Sequence, residues 1–185
     1  MTTQITSTMT TQAMPYTTTN TSGLVNSNVT DVNVTNANVT KEPFSNITWP
    51  ADDPCSNYTV LNDSWRNVAQ GKNYLSNFKC DGVTAGFVKD WYRFMGPAGT
   101  ILATECQPVQ HCGTYVPLYL NGTVPNVPGD VWNVTLCATS AYGCCAYAWA
   151  AVYTPPFVTV KNCGDYFVYE LKPATGCYTA YCGSD

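Results

Sequence analysis

The sequence predicts a small β-rich α+β domain, stapled by disulfides, carried behind a disordered Thr/Asn-rich tail. Three observations predict it. All ten cysteines fall between Cys55 and Cys182. The same region holds short β-branched and aromatic runs broken by turn residues. The first 50 residues hold fourteen Thr, seven Asn and four Ser, but only three charged side chains, Asp31, Lys41 and Glu42. A stretch so poor in apolar groups cannot offset its ordering entropy by burial. The domain boundary therefore falls at 50/51, with a mucin-like stalk over 1–50 and a folded unit over 51–185.

Within the stalk, Asn-Val-Thr recurs at Asn28, Asn33 and Asn38. A five-residue period is too short for a solenoid repeat and reads as a ladder of glycan acceptors. The sequon Asn-x-Ser/Thr occurs nine times in the chain. The stalk cluster partly reflects its Asn and Thr content. Four sequons, at Asn57, Asn62, Asn121 and Asn133, lie in the folded part.

In the folded part, 64–75 predicts a helical turn or two, and Trp91–Met95 predicts a strand. Gly96–Thr100 reads as a tight turn. The run 114–120 alternates but contains Pro117, which predicts an edge strand. A further strand is expected at 133–138. The clearest hairpin joins Phe157–Asn162 to Tyr166–Leu171 through Cys163, Gly164 and Asp165. The uncharged stretch Gly143–Val160 is barely long enough to span a bilayer. Pro155 and Pro156 break it, so it reads as two short buried segments, and no transmembrane segment is expected.

Composition narrows function. Charged residues make up 11% of the chain, the net charge is −4 and the pI is near 4.7. That leaves no basic footprint for nucleic acid. His111 is the single imidazole and stands directly before Cys112. It reads as a loop residue beside a disulfide rather than as a catalytic base. No clustered zinc spacing, C-x-x-C pair, nucleophile elbow or EF-hand loop occurs. Asp52 and Asp53 are adjacent and read as a solvated linker. No enzyme, metal or cofactor is expected. Tyr147, Trp149 and Tyr153 alternate, so a strand would set them on one face as a sugar-stacking surface; core packing is the competing reading.

An even, high cysteine count points to an oxidising compartment, and so to a secreted or extracellular chain. No signal peptide is visible at Met1, so the chain reads as a fragment or as starting downstream of its true beginning. Ten cysteines allow about a thousand pairings, and spacing does not choose among them. Only the adjacent Cys144 and Cys145 are constrained, since bridging neighbours is strained.

The words DPCSNYTVLNDSWRN, NFKCDG, WYRFMGPAGT, CQPVQHCGTYVPLYLNGT, the adjacent CC, CGDYFVYEL and CYTAYC run across residues 53–182. This string resembles the uromodulin-type cysteine-rich extracellular domain, the eight-cysteine family. The resemblance implies the bridges Cys55–Cys163, Cys80–Cys177, Cys106–Cys144, Cys112–Cys182 and Cys137–Cys145. It also implies a non-enzymatic glycoprotein module. In the family this domain serves as a decoy, presenting a high-mannose N-glycan to the adhesin of bacterial type 1 fimbriae. The family's decoy sugar sits at the position matching Glu170, where this chain has no sequon; Asn121 matches another family glycan position. The expected partners are lectins or microbial adhesins, reached through N-glycans at Asn57, Asn62, Asn121 and Asn133, and other extracellular modules. The alternative is a structural or assembly piece of a larger mucus, matrix or zona-pellucida-type protein.

Overall fold

The computed structural model describes residues 47–72, 77–145 and 157–185. The described chain forms ten strands: β1 Thr59–Leu61, β2 Asp90–Phe94, β3 Ile101–Leu102, β4 Val116–Asn121, β5 Val131–Ser140, β6 Gly143–Cys144, β7 Phe157–Asn162, β8 Phe167–Leu171, β9 Thr179–Tyr181 and β10 Gly183–Ser184. Eight of them make one sheet in the order β1-β2-β8-β7-β5-β4-β9, with β6 paired to β5. β3 and β10 form a separate antiparallel pair.

The helical expectation is corrected. The described residues contain only single 3-10 turns, at Ser64–Arg66, Val68–Gln70, Val83–Ala85 and Gly96–Ala98. The 64–75 stretch cannot propagate a helix because Asn67 takes an extended conformation (φ −70°, ψ 133°) between two turns. Its side chain accepts the Ala69 N–H at 2.8 Å and starts the second turn.

Pro117 does not make β4 an edge strand. β4 lies between β5 and β9, both of which pair with it. The β5 ladder begins at Leu118, one residue after the proline. On the β9 side the neighbouring Val116 N–H donates to Tyr178 O at 2.7 Å. The missing amide hydrogen thus falls just outside the ladder that would have needed it.

The hairpin β7–β8 forms over the expected segment, with Asn162 opposite Phe167. Gly164 makes its turn possible: its φ is 96°, which a side chain disfavours, and its N–H donates to Asn162 Oδ1 at 2.7 Å.

Alternation along the strands puts one face of the sheet into the core. Leu118 and Leu120, Val134, Leu136 and Ala138, Val158 and Val160, Tyr169 and Leu171 all pack there. Burial of each large aliphatic side chain stabilises the fold by about 1.5–3 kcal/mol. Phe94 meets Tyr169 edge to face at 5.8 Å, and Leu102 N–H donates to the Tyr169 hydroxyl at 3.1 Å. Burial pushes the Tyr169 phenol well above its usual range.

Disulfides close the rest. Cys55–Cys163, Cys106–Cys144, Cys112–Cys182 and Cys137–Cys145 are bonded. The first spans 108 residues of sequence; a loop of that size restricts the unfolded chain by about 4.7 kcal/mol in the entropic account. Cys144 and Cys145 take different partners. Cys80 and Cys177 are thiols with their sulfurs 3.0 Å apart. The bridge that the resemblance implies at this pair is therefore open in the structure.

Candidate glycan-presenting face

The sequons of the central strands lie on the sheet face opposite the main core, which is itself partly covered where Tyr119 and Cys137 pack with Ala103, Cys112 and Cys182. Asn133 is the third residue of β5 and Asn121 the last residue of β4. Their parity is opposite to Val134, Leu136, Leu118 and Leu120, so they point away from the core, and both are exposed. Asn57 and Asn62 are exposed too, one on either side of the edge strand β1.

Register defines what surrounds Asn133. It stands opposite Thr159 of β7, which stands opposite Glu170 of β8, which stands opposite Trp91 of β2. Directly opposed residues share a face, so these four form one transverse row. The Thr159 hydroxyl donates to Asn133 Oδ1 at 3.1 Å. That bond leaves the Asn133 amide nitrogen as the group available for a sugar. Glu170 is held by Lys89 Nζ at 2.8 Å. Asn121 stands opposite Thr135, the hydroxyl residue of the Asn133 sequon, and Thr135 also faces Phe157. The Asn121 amide lies 3.8 Å from Cys145 Sγ.

At the sheet end carrying Cys55–Cys163, aromatic rings surround a cation. Arg93 donates to the Tyr58 hydroxyl at 2.8 Å and lies 3.6 Å above the Tyr166 ring. The Tyr166 hydroxyl donates to Cys55 O. Asp53, read from sequence as linker, instead accepts from Lys161 Nζ at 2.6 Å and from the Cys55 N–H at 2.8 Å. Lys161 also lies 4.8 Å from the Trp49 ring. Burial opposes the Asp53 charge, but the bonds from Lys161 and Cys55 and the Lys161 charge outweigh it. They hold the carboxyl below its ordinary pKa.

His111 is half-buried with Nδ1 3.2 Å from Val109 O. An open groove of about 400 Å³ is lined in part by Asn67, Glu105 and Asp185. There the Asn67 amide donates to Asp185 at 3.5 Å. Among the described residues no three His, Cys, Asp or Glu side chains are grouped to hold a metal ion, and no helix is long and apolar enough to cross a membrane. Tyr147, Trp149 and Tyr153 lie outside the described residues.

Sequence reading did not find Thr159 as the partner of Asn133. Alternation within β5 and β7 was visible, but which residues oppose each other depends on register. The Arg66–Asp81 pair also left no signal, because both residues sit in irregular segments 15 apart.

A disulfide-stapled β-sheet domain with exposed sequons on two central strands defines the class. Residues 92–183 match the family model of the uromodulin-like cysteine-rich domain, and the domain of this chain belongs to that family. The chain is 37% identical over 134 residues to pancreatic secretory granule membrane major glycoprotein GP2 of Rattus norvegicus, covering 70% of this chain and 23% of that protein. It is 34% identical over 131 residues to uromodulin of Mus musculus, covering 70% of this chain and 18% of that protein. The human GP2 glycoprotein is 35% identical over 131 residues. The chain thus spans a quarter or less of the length of these relatives. With them it is an extracellular or secreted, cysteine-rich protein.

Proposed function

We infer that this chain is a non-enzymatic extracellular module that presents N-glycans for recognition by lectins, microbial adhesins among them. The observation that carries the reading is the placement of Asn121 and Asn133, both exposed on the sheet face opposite the main core. A rigid, disulfide-closed sheet fixes where a sugar leaves the surface, which a disordered chain does not. In the family the decoy glycan sits at the position of Glu170. Asn133 stands in the same transverse row, two strands along, so a glycan there emerges on the same face. The Thr/Asn-rich segment 1–50 serves in this reading as a glycosylated stalk.

The test is capture of the secreted chain on an immobilised mannose-specific adhesin, with free mannoside as competitor. The wild type is expected to bind and to be eluted by the sugar. The double variant Asn121→Gln, Asn133→Gln is expected to lose most of that binding, while Asn57→Gln keeps it. Absence of mannoside-sensitive capture overturns the reading. The function would then fall to a spacer or assembly module.

A further inference from the structure

We propose that Asn121 and Asn133 form one composite glycan patch, in which each N-glycan limits enzymatic trimming of the other and keeps it rich in mannose. The inference rests on the glycan-presentation reading and names the part of the surface that performs it.

The geometry comes from the β4–β5 register. Leu118 opposes Ala138, Tyr119 opposes Cys137, Leu120 opposes Leu136 and Asn121 opposes Thr135. The ladder ends there, and a Cβ placed on Gly122 would lie 3.5 Å from Val134 Cγ1. Asn133 precedes Thr135 by two residues and shares its face. It is therefore the diagonal neighbour of Asn121, about 7–8 Å away in an antiparallel ladder. Asn121 faces Thr135, the hydroxyl residue of the Asn133 sequon.

Two further contacts fix the roots of the sugars. Thr159 holds the Asn133 carbonyl oxygen at 3.1 Å. The Cys145 sulfur lies 3.8 Å from the Asn121 amide, so that root is confined on the disulfide side. Branched oligosaccharides rooted this close occupy overlapping volume. A glycosidase needs access around the branch that it cuts, and the neighbouring glycan fills that space. Asn57 and Asn62 lie by β1, five strand spacings from β4 in the sheet order. At about 4.8 Å per strand that is roughly 24 Å, so their sugars are independent of the pair.

The chemistry balances with a donor of known class. The asparagine Nδ2 bonds to the anomeric C1 of an oligosaccharide carried on a polyprenyl diphosphate. The C1–O bond breaks, the diphosphate leaves with the electron pair, and the amide gives up a proton. Later trimming hydrolyses mannose–mannose bonds with water, and this is the step that the patch resists.

The experiment is site-resolved glycopeptide mass spectrometry on the full chain secreted from animal cells. Wild type, Asn133→Gln, Thr135→Val and Asn121→Gln are compared, with Asn57→Gln as the distant control. Wild type is expected to carry oligomannose glycans at both Asn121 and Asn133 and processed glycans at Asn57 and Asn62. Asn133→Gln and Thr135→Val should each cause loss of most of the oligomannose at Asn121, and Asn121→Gln should do the same at Asn133. Thr135→Val removes the second glycan while keeping Asn133 and its Thr159 bond, so a folding defect in Asn133→Gln does not decide the outcome. An empty or fully processed wild-type site, or an Asn121 glycan unchanged in both variants, overturns the proposal. Adhesin capture that persists without such coupling defeats the patch alone. Coupling without capture defeats the recognition function alone.

Discussion

Asp81 accepts both terminal nitrogens of Arg66 at 2.6 Å, with the two side chains only 1% and 5% exposed. The same carboxylate accepts the Tyr181 N–H at 2.8 Å. The main chain of Asp81 bonds Thr179 O at 2.9 Å and Ala174 N at 2.8 Å. One buried ion pair therefore ties the irregular segment before β2 to β9. Arg66 also bonds Asp63 at 3.2 Å and lies 4.1 Å from the Trp65 ring.

Removing the acid leaves the buried guanidinium with only the half-exposed Asp63 carboxylate as a charged partner. Asp81→Asn is expected to destabilise the domain by about 3–5 kcal/mol, read as a lower urea midpoint with unchanged slope. Replacing both partners by apolar residues of similar volume should cost less than Asp81→Asn alone, because no buried charge then stands unpaired.

Asp53 and Lys161 give a pH signature. The folded Asp53 carboxyl titrates below its ordinary value, so its contribution is fully present above the unfolded-state pKa of about 4. It is lost as pH falls through the lower folded value. Asp53→Asn should reduce stability at neutral pH by about 2 kcal/mol and flatten the acid limb. Thermal melts from neutral pH to pH 2 check both, and parallel acid limbs for variant and wild type would contradict them.

The open Cys80–Cys177 pair is expected to close under mild oxidation. Its sulfurs are 3.0 Å apart. The Thr84 hydroxyl and then Cys80 lower the Cys177 thiol, while burial first and the bond with Cys177 next raise Cys80. Cys177 is therefore the more acidic thiol of the pair. Non-reducing peptide mapping of the secreted chain should find these two residues joined, and free thiols at both after oxidation would refute it. Cys80→Ser should leave Cys177 open to alkylation without disturbing the other four bridges.

Gly183 is the tightest approach in the domain's small β3–β10 pair. A Cβ there would lie 2.7 Å from the Phe94 ring and collide with Ala98 O. Gly183→Ala is expected to destabilise by about 1–3 kcal/mol or more through overpacking. Gly96→Ala meets nothing within 4 Å, so its cost should be confined to the strain of φ 58°. Paired denaturant curves separate the two, and an equal loss would contradict the packing argument.

The sequence by itself determined the strands whose patterns are local. Trp91–Met95, 133–138 and the β7–β8 hairpin could be read because alternation, β-branching and a Gly turn act within a few residues. It showed where the sequons lie, since a sequon is three residues long. Cysteine spacing left the pairing open, and the family resemblance alone supplied partners for it.

Tertiary structure decided the rest, because long-range register has no local signal. It made β4 an interior strand by starting the β5 ladder just past Pro117. It made the helical turns expected in 64–75 two separate 3-10 turns on either side of an extended Asn67. It made Asp53 a half-buried partner of the buried Lys161 rather than a linker. It set Asn121 and Asn133 on one face as diagonal neighbours, although 12 residues of chain separate them. Antiparallel pairing brings such positions together, and a slip of one residue would have turned either asparagine into the core.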